Sequence, residues 1–192
     1  PTATNAGICV MNPKFRNRLN KIKFKTALFT NLSRDHLDYH KTFKDYLNSK
    51  LILFRELLNN KGNIIFEKSS RQAKYLSNIS KKKNLKKYLY GEGKSFLKIK
   101  NIQKVNNLKK IDFIFNKKHY SFKTTLIGKI QIKNLFFAII AAYLSNIKIN
   151  KILKVVEKIK PIDGRLEKVG SIKNNANVIL DLSLIHISEP TR

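Results

Sequence analysis

The sequence has one cysteine, Cys9, in 192 residues. A single thiol can neither close an intrachain disulfide nor build a cysteine-rich metal site, which fits a reducing cytoplasm. Long apolar runs are missing too. The longest nearly apolar stretch, Leu135 to Leu144, falls well short of the roughly 18 residues that suggest a membrane span. The first residues also lack the charged-then-apolar order of a secretion signal. A soluble, cytoplasmic protein is therefore expected. Acidic residues are scarce: 12 Asp and Glu stand against 40 Lys and Arg, a formal charge of +28. On its face that excess asks for a polyanion such as nucleic acid or an anionic membrane surface. The basic residues are, however, spread along the whole chain beside abundant Asn and Ile, the residues of A/T-rich codons. Drift in base composition accounts for them without a ligand.

What is present is enough to build a core: 42% of the residues are hydrophobic and 10% aromatic, so disorder is a poor reading. The length holds one domain or parts of two, and no internal repeat is visible. Residues 1–16 carry Thr, Asn, Gly and Pro without a period and read as loop or unmatched sequence. Ala27-Leu28-Phe29, followed by polar Thr30-Asn31, reads as a buried strand opening into the loop Leu32 to Lys41. In open α/β sheets ligands bind at that end of a strand. A helix is expected from the N-cap Thr42, with Asp45 in its first turn. Its apolar face is Phe43, Tyr46, Leu47, Leu51, Phe54, Leu57 and Leu58, and Asn59-Asn60-Lys61-Gly62 is expected to stop it. Strands are expected at Asn63 to Phe66, Phe96 to Ile99, Asp112 to Phe115 and Tyr120 to Thr125, with a polar, lysine-rich segment from 67 to Tyr90. Asn134 to Asn146, apolar nearly all round, reads as a buried helix, and a second helix follows from Asn150. Val178-Ile179-Leu180 then reads as a buried strand ending in Asp181.

The densest polar chemistry is Thr30-Asn31-Leu32-Ser33-Arg34-Asp35-His36-Leu37-Asp38-Tyr39-His40. Two carboxylates and two histidines within six residues suit a metal or a phosphate-bearing ligand, although capped turns in a polar loop read the same way. A second oddity lies in the helix that follows. On a 3.6-residue period Lys50 falls in line with Phe43, Leu47 and Phe54, in the middle of the apolar stripe. A lysine there must snorkel, pair, or be chemically changed, since an unpaired buried ammonium costs several kcal/mol. Carbamylation by CO₂ would turn the cation into an oxygen ligand suited to Mg²⁺.

That eleven-residue string, with Lys50 fourteen residues after His36, resembles the signature of the Mur ligase family, most closely the MurE type, the UDP-N-acetylmuramoyl-dipeptide ligases. The resemblance implies that His36 helps hold a second Mg²⁺, that Lys50 is the carbamylated lysine bridging to it, and that Asn31 and Asp35 shape the site. Gly128 to Asn134 resembles the family's glycine-x-x-Asn-x-x-Asn stretch near the adenine, with Gln131 in place of the first Asn. Gly164-Arg165-Leu166-Glu167 resembles the GRxE motif, whose arginine reaches the nucleotide, and Asp181 resembles the ribose-binding aspartate that opens the motif DYAHxP.

The fold so implied is α/β: part of a P-loop-type central ATPase domain over 17–168, with a mostly parallel sheet and flanking helices, then the first strand of a Rossmann-like domain over 169–181. The implied activity uses ATP and Mg²⁺ to phosphorylate the D-glutamate carboxylate of UDP-MurNAc-L-Ala-D-Glu. The amine of an incoming amino acid, expected to be meso-diaminopimelate, then displaces phosphate to form an amide of the peptidoglycan precursor. A monomer with no specific nucleic-acid partner is expected.

The sequence also departs from the pattern. The phosphate loop GxxGK[ST], which the family places upstream, is absent from these residues. Leu182 to Arg192 resembles the translation of a transposase-type sequencing adapter and is set aside. This piece alone is therefore expected to be inactive. Alternatives are another member of the superfamily, of the folylpolyglutamate or cyanophycin synthetase type, or a basic nucleic-acid-binding module using the Lys and Tyr/Phe mixture of Lys81 to Lys104.

Overall fold

A computed structural model describes residues 23–32, 42–106, 108–164, 166–172 and 176–181. The expectations for 1–16 and 182–192 lie outside these. The described residues begin with strand β1 (Phe24–Phe29), helix α1 (Phe43–Ile52) and a π-helical turn (Leu53–Leu57) running directly into β2 (Leu58–Glu67). Helix α2 (Ala73–Lys82), β3 (Lys86–Tyr90), β4 (Leu97–Val105), β5 (Leu108–Phe115) and β6 (Lys118–Thr124) follow. Helices α3 (Lys129–Leu144) and α4 (Ile149–Val156) precede a last pair of strands, β7 (Glu167–Ile172) and β8 (Ala176–Leu180). Strands β1 to β6 form one sheet in sequence order, parallel from β1 to β4 and antiparallel from β4 to β6.

Alternation along β2 explains why the sheet sits between two helical layers. Ile64 and Phe66 face a core with Leu47, Leu51, Phe54 and Leu57, together with Leu76 and Ile79 of α2. Ile65, one residue away, faces the other core with Phe113, Phe122, Phe136, Ile140 and Ile152. A strand buried on both faces reads as the unbroken apolar run Ile64-Ile65-Phe66, and a two-residue period supplies both layers from it.

Three expectations are corrected. Asn59 to Gly62 does not end a helix; it lies inside β2. The helical path stops at Leu57, and Leu58, 1% exposed, is already extended at φ −76° and ψ 130°. The Asn/Gly signal marks instead a bulge: between Phe24↔Leu58 and Thr26↔Asn63 the partner strand carries extra residues, and Lys61 adopts φ 60°. At Gly62 a Cβ would stand 2.8 Å from the Asn59 carbonyl oxygen and 2.9 Å from that of Lys25, both backbone atoms that cannot swing away. Gly62→Ala is accordingly expected to destabilise the fold by about 1–3 kcal/mol, measured as a lower denaturation midpoint with an unchanged slope. A neutral result would show that the bulge is loose.

The second is an omission: the polar, lysine-rich segment, to which the sequence assigns no element, contains α2 and β3. In α2 only Leu76, Ile79 and Ser80 are buried, so its lysines face water and dominate the composition. The third concerns Val178, Ile179 and Leu180. They do form a strand, but it pairs antiparallel with β7 in a separate hairpin and the three are 41%, 46% and 40% exposed, not buried. The buried helix expected at Asn134 begins earlier, at Lys129, and the helix expected from Asn150 spans Ile149–Val156. No described helix is long and apolar enough to cross a membrane.

Candidate functional site

Strands β1, β2 and β3 run parallel, so their carboxyl ends form one crest: Thr30-Asn31, Glu67-Lys68 and Tyr90-Gly91. The cap of α1 determines what faces that crest from above. Thr42 is extended at φ −139°, its Oγ1 accepts from the Asp45 backbone N–H at 3.1 Å, and its hydroxyl donates to Asp45 Oδ2 at 2.7 Å. This start was legible in the sequence. It places Lys50 two turns along, with Leu47 and Leu51 beside it in the core.

Lys50 is neither fully buried nor unpaired. Its ammonium donates to the Asn31 backbone carbonyl at 3.2 Å, 19 residues away in sequence, and lies 4.8 Å from the centroid of the Tyr46 ring. Two of the predicted residues are thus brought together at the carboxyl end of β1. The stem passes along apolar surface while the head reaches the rim, which is how a lysine fits in an otherwise apolar stripe. His36, Asp35 and Arg165 lie outside the described residues.

The crest also holds residues that sequence reasoning missed. Glu67, at the end of β2, accepts from Lys133 Nζ at 3.1 Å and from Ser69 Oγ at 3.3 Å. The ion pair is half-buried, with side-chain exposures of 22% for Lys133 and 26% for Glu67. It ties the second turn of α3 to the sheet. Beside it the Tyr90 hydroxyl ionises above the ordinary tyrosine range, first because it is buried and then because Glu67 and Glu92 disfavour a phenolate. Glu67→Gln is expected to lower the Tyr90 ionisation part of the way back, with burial keeping it raised. An alkaline titration of phenolate absorbance, with Tyr90→Phe marking the signal, checks this; an unchanged titration would show that Glu67 does not act on Tyr90. The signal for the pair was present in the sequence, since Lys133 lies inside the Gly128 to Asn134 stretch. Its partner is 66 residues away, and no local pattern connects them.

The same stretch meets the Gly164 to Glu167 turn. The Gly128 N–H donates to Gln131 Oε1 at 3.1 Å, so the amide that replaces the family's first Asn closes the first turn of α3. Leu166 Cδ1 lies over Gly128, 2.3 Å from where a Cβ would stand, so a larger residue there would require the Leu166 side chain to turn aside. In the turn itself Gly164 adopts φ 70° and its N–H donates to Glu167 Oε2 at 2.8 Å. That bond gives the Glu of the motif a visible task, holding the turn. Asn134 is exposed on α3, and Asp181 is exposed where β8 ends.

Among the described residues no group of three His, Cys, Asp or Glu is close enough to hold a metal ion. The donors that the crest offers are the Asn31 carbonyl, the Thr30 hydroxyl and the Glu67 carboxylate. These are hard oxygen ligands of the kind Mg²⁺ takes through one or two protein groups with water completing the shell.

The family model of the Mur ligase middle domain matches residues 9–142. The chain is 34% identical over 168 residues to the UDP-N-acetylmuramoyl-L-alanyl-D-glutamate–2,6-diaminopimelate ligase of Rickettsia prowazekii (strain Madrid E), covering 88% of this chain and 34% of that one. It is 34% identical over 179 residues to the ligase of the same name from Clostridium botulinum (strain ATCC 19397 / Type A), covering 90% and 36%. The chain spans about a third of the length of these curated relatives. A solved ligase of that name superposes with TM-score 0.70 at 22% identity, over 81% of this chain and 32% of the other. The apo form of L. casei FPGS superposes with TM-score 0.65 at 13% identity, over 84% and 39%, so the two share the fold. Sequence and fold agree, and the chain belongs to the Mur ligase family.

Proposed function

We propose that this chain is part of a ligase that adds the third amino acid, meso-diaminopimelate, to UDP-MurNAc-L-Ala-D-Glu in peptidoglycan precursor synthesis. The observation that carries the reading is the contact of Lys50 Nζ with the Asn31 carbonyl, which joins the two halves of the signature at the crest of the parallel strands. In this reading 17–168 is part of the central ATPase domain and 169–181 begins the amino-acid-binding domain. ATP supplies a phosphoryl group to activate the D-glutamate carboxylate, and Mg²⁺ offsets the repulsion between that carboxylate and the γ-phosphate.

The chain's own residues then have separate tasks. Lys50, carbamylated on Nζ, presents oxygens beside Asn31, and His36 and Asp35 belong to the same site. Asn134, Arg165 and Asp181 face the nucleotide, Arg165 through a guanidinium suited to phosphate or ribose oxygens. Gln131 closes the first turn of α3 and Glu67 holds Lys133, so both support the helix that carries Asn134. The protein acts in the cytoplasm as a monomer.

The test is made on the complete reading frame. ADP release should require both UDP-MurNAc-L-Ala-D-Glu and meso-diaminopimelate. Release with a folate or an arginine-containing peptide as acceptor instead would shift the reading to another branch of the superfamily. Tight, steeply salt-dependent binding of nucleic acid would favour the basic-module reading over both.

A further inference from the structure

Opposite the crest, at the amino ends of β2 and β3, the π-helical turn and the end of α2 enclose an open groove of about 380 Å³. Its lining residues are Arg55, Tyr75, Asn78, Ile79, Lys82 and Lys83, with no Asp or Glu among them. Part of this positive charge has a structural task. Lys83 Nζ donates to the carbonyls of Arg55, at 2.9 Å, and of Leu58, and Lys23 Nζ donates to that of Glu56 at 2.8 Å, so two ammoniums cap the closing turn. That leaves one of the three N–H donors on Lys83 for another acceptor.

The remaining cations have no such task. Among the described residues neither the Arg55 guanidinium nor the Lys82 ammonium has a hydrogen-bond or ion-pair partner. Tyr75, 52% exposed, and Ile79, 8% exposed, add a ring and an apolar floor. Like charges gathered in a groove with no Asp or Glu in its lining repel one another, and burial together with Lys23 already holds the Lys83 ammonium below the ordinary lysine range. A dianion relieves both effects at once, and a guanidinium beside two ammoniums offers the fork and point charges that phosphoryl oxygens accept.

We propose that this groove binds a small phosphomonoester, its phosphoryl oxygens on Arg55, Lys82 and Lys83 and its organic part against Tyr75 and Ile79. The site lies away from Asn31, Lys50 and Glu67 and does not depend on the ligase reading.

The experiment titrates the nitrogen-15-labelled chain with inorganic phosphate and, separately, with AMP, at constant ionic strength set by chloride. Saturable shifts confined to 55–58 and 75–83 are expected, with AMP binding about tenfold tighter than phosphate. Arg55→Gln combined with Lys82→Gln should weaken both by about tenfold or more, while Lys148→Gln on a distant basic face changes neither. Arg55 and Lys82 are exposed, so the double variant should keep its thermal midpoint. Unsaturable shifts spread over many lysines would overturn the proposal and indicate diffuse anion condensation. So would shifts centred on 128–134, AMP binding no tighter than phosphate, or binding that survives the double substitution.

Discussion

Phe136→Ala is expected to destabilise the chain by about 3–5 kcal/mol, the range for losing a fully buried ring. Phe136 is 0% exposed on the inner face of α3. Its ring stands 5.2 Å from Phe113, 5.8 Å from Phe122 and 5.9 Å from Tyr90, centroid to centroid, so it meets β3, β5 and β6 at once. Truncation removes the transfer free energy of a buried ring, leaves a cavity that the sheet can close only in part, and deletes aromatic contacts worth about 0.5–1.5 kcal/mol each. Against a total stability of about 5–15 kcal/mol this brings a domain near its folding threshold. Denaturant unfolding followed by far-UV circular dichroism should show a lower midpoint at unchanged slope. Phe43→Ala is the control. Phe43 heads the same stripe as Leu47 in the sequence, yet it is 41% exposed, and its truncation should change stability by no more than about 0.5 kcal/mol. Equal effects of the two variants would mean that α3 is not packed as described.

Lys50→Met, made in the complete ligase, is expected to reduce turnover by about 10²–10³-fold or more, comparable to loss of a preorganised electrostatic group. The same substitution should barely change stability. The contacts Lys50 makes are one hydrogen bond to an exposed carbonyl and one ring contact, together about 1 kcal/mol, and Met keeps the apolar stem. That separation between activity and stability is what distinguishes a residue of the site from a snorkelling one. Carbamylation adds a second readout. Carbon-13 bicarbonate should give a carbamate resonance that Lys50→Met abolishes, and a short carboxylate such as formate or acetate should restore part of the lost activity. A variant with turnover near that of the parent would remove Lys50 from the site, whatever the fate of the label.

Much of this was legible locally. The Thr42 cap is a contact across three residues, and β1 and α1 stand on either side of the motif string in the order that the sequence suggests. That Lys50 and Asn31 share a site was implied by the family resemblance, and the Lys50–Asn31 contact is consistent with it. Glu67 could not be anticipated: it ends a strand whose preceding Asn/Gly run reads as a helix stop, and only the register with β1 and β3 shows that it shares a crest with Thr30 and Tyr90. The groove of Arg55, Lys82 and Lys83 was hidden for another reason. In a chain with 40 basic residues a lysine pair carries no local signal, and its meeting with Arg55 in a groove lined by no Asp or Glu is a fact of three-dimensional arrangement.

The division follows from the range of the forces involved. Caps, periodicity and the motif string act over one to four residues or one unit, so the sequence by itself determined the α/β class, the start of α1, a strand over Asn63 to Phe66 and membership of a family. The bulge at Asn59 to Gly62, the exposure of Val178 to Leu180, the Glu67–Lys133 pair and the seating of Leu166 on Gly128 were decided only by tertiary structure. Each depends on which distant backbone or side chain arrives alongside, and burial and pairing are properties of that neighbour as much as of the residue.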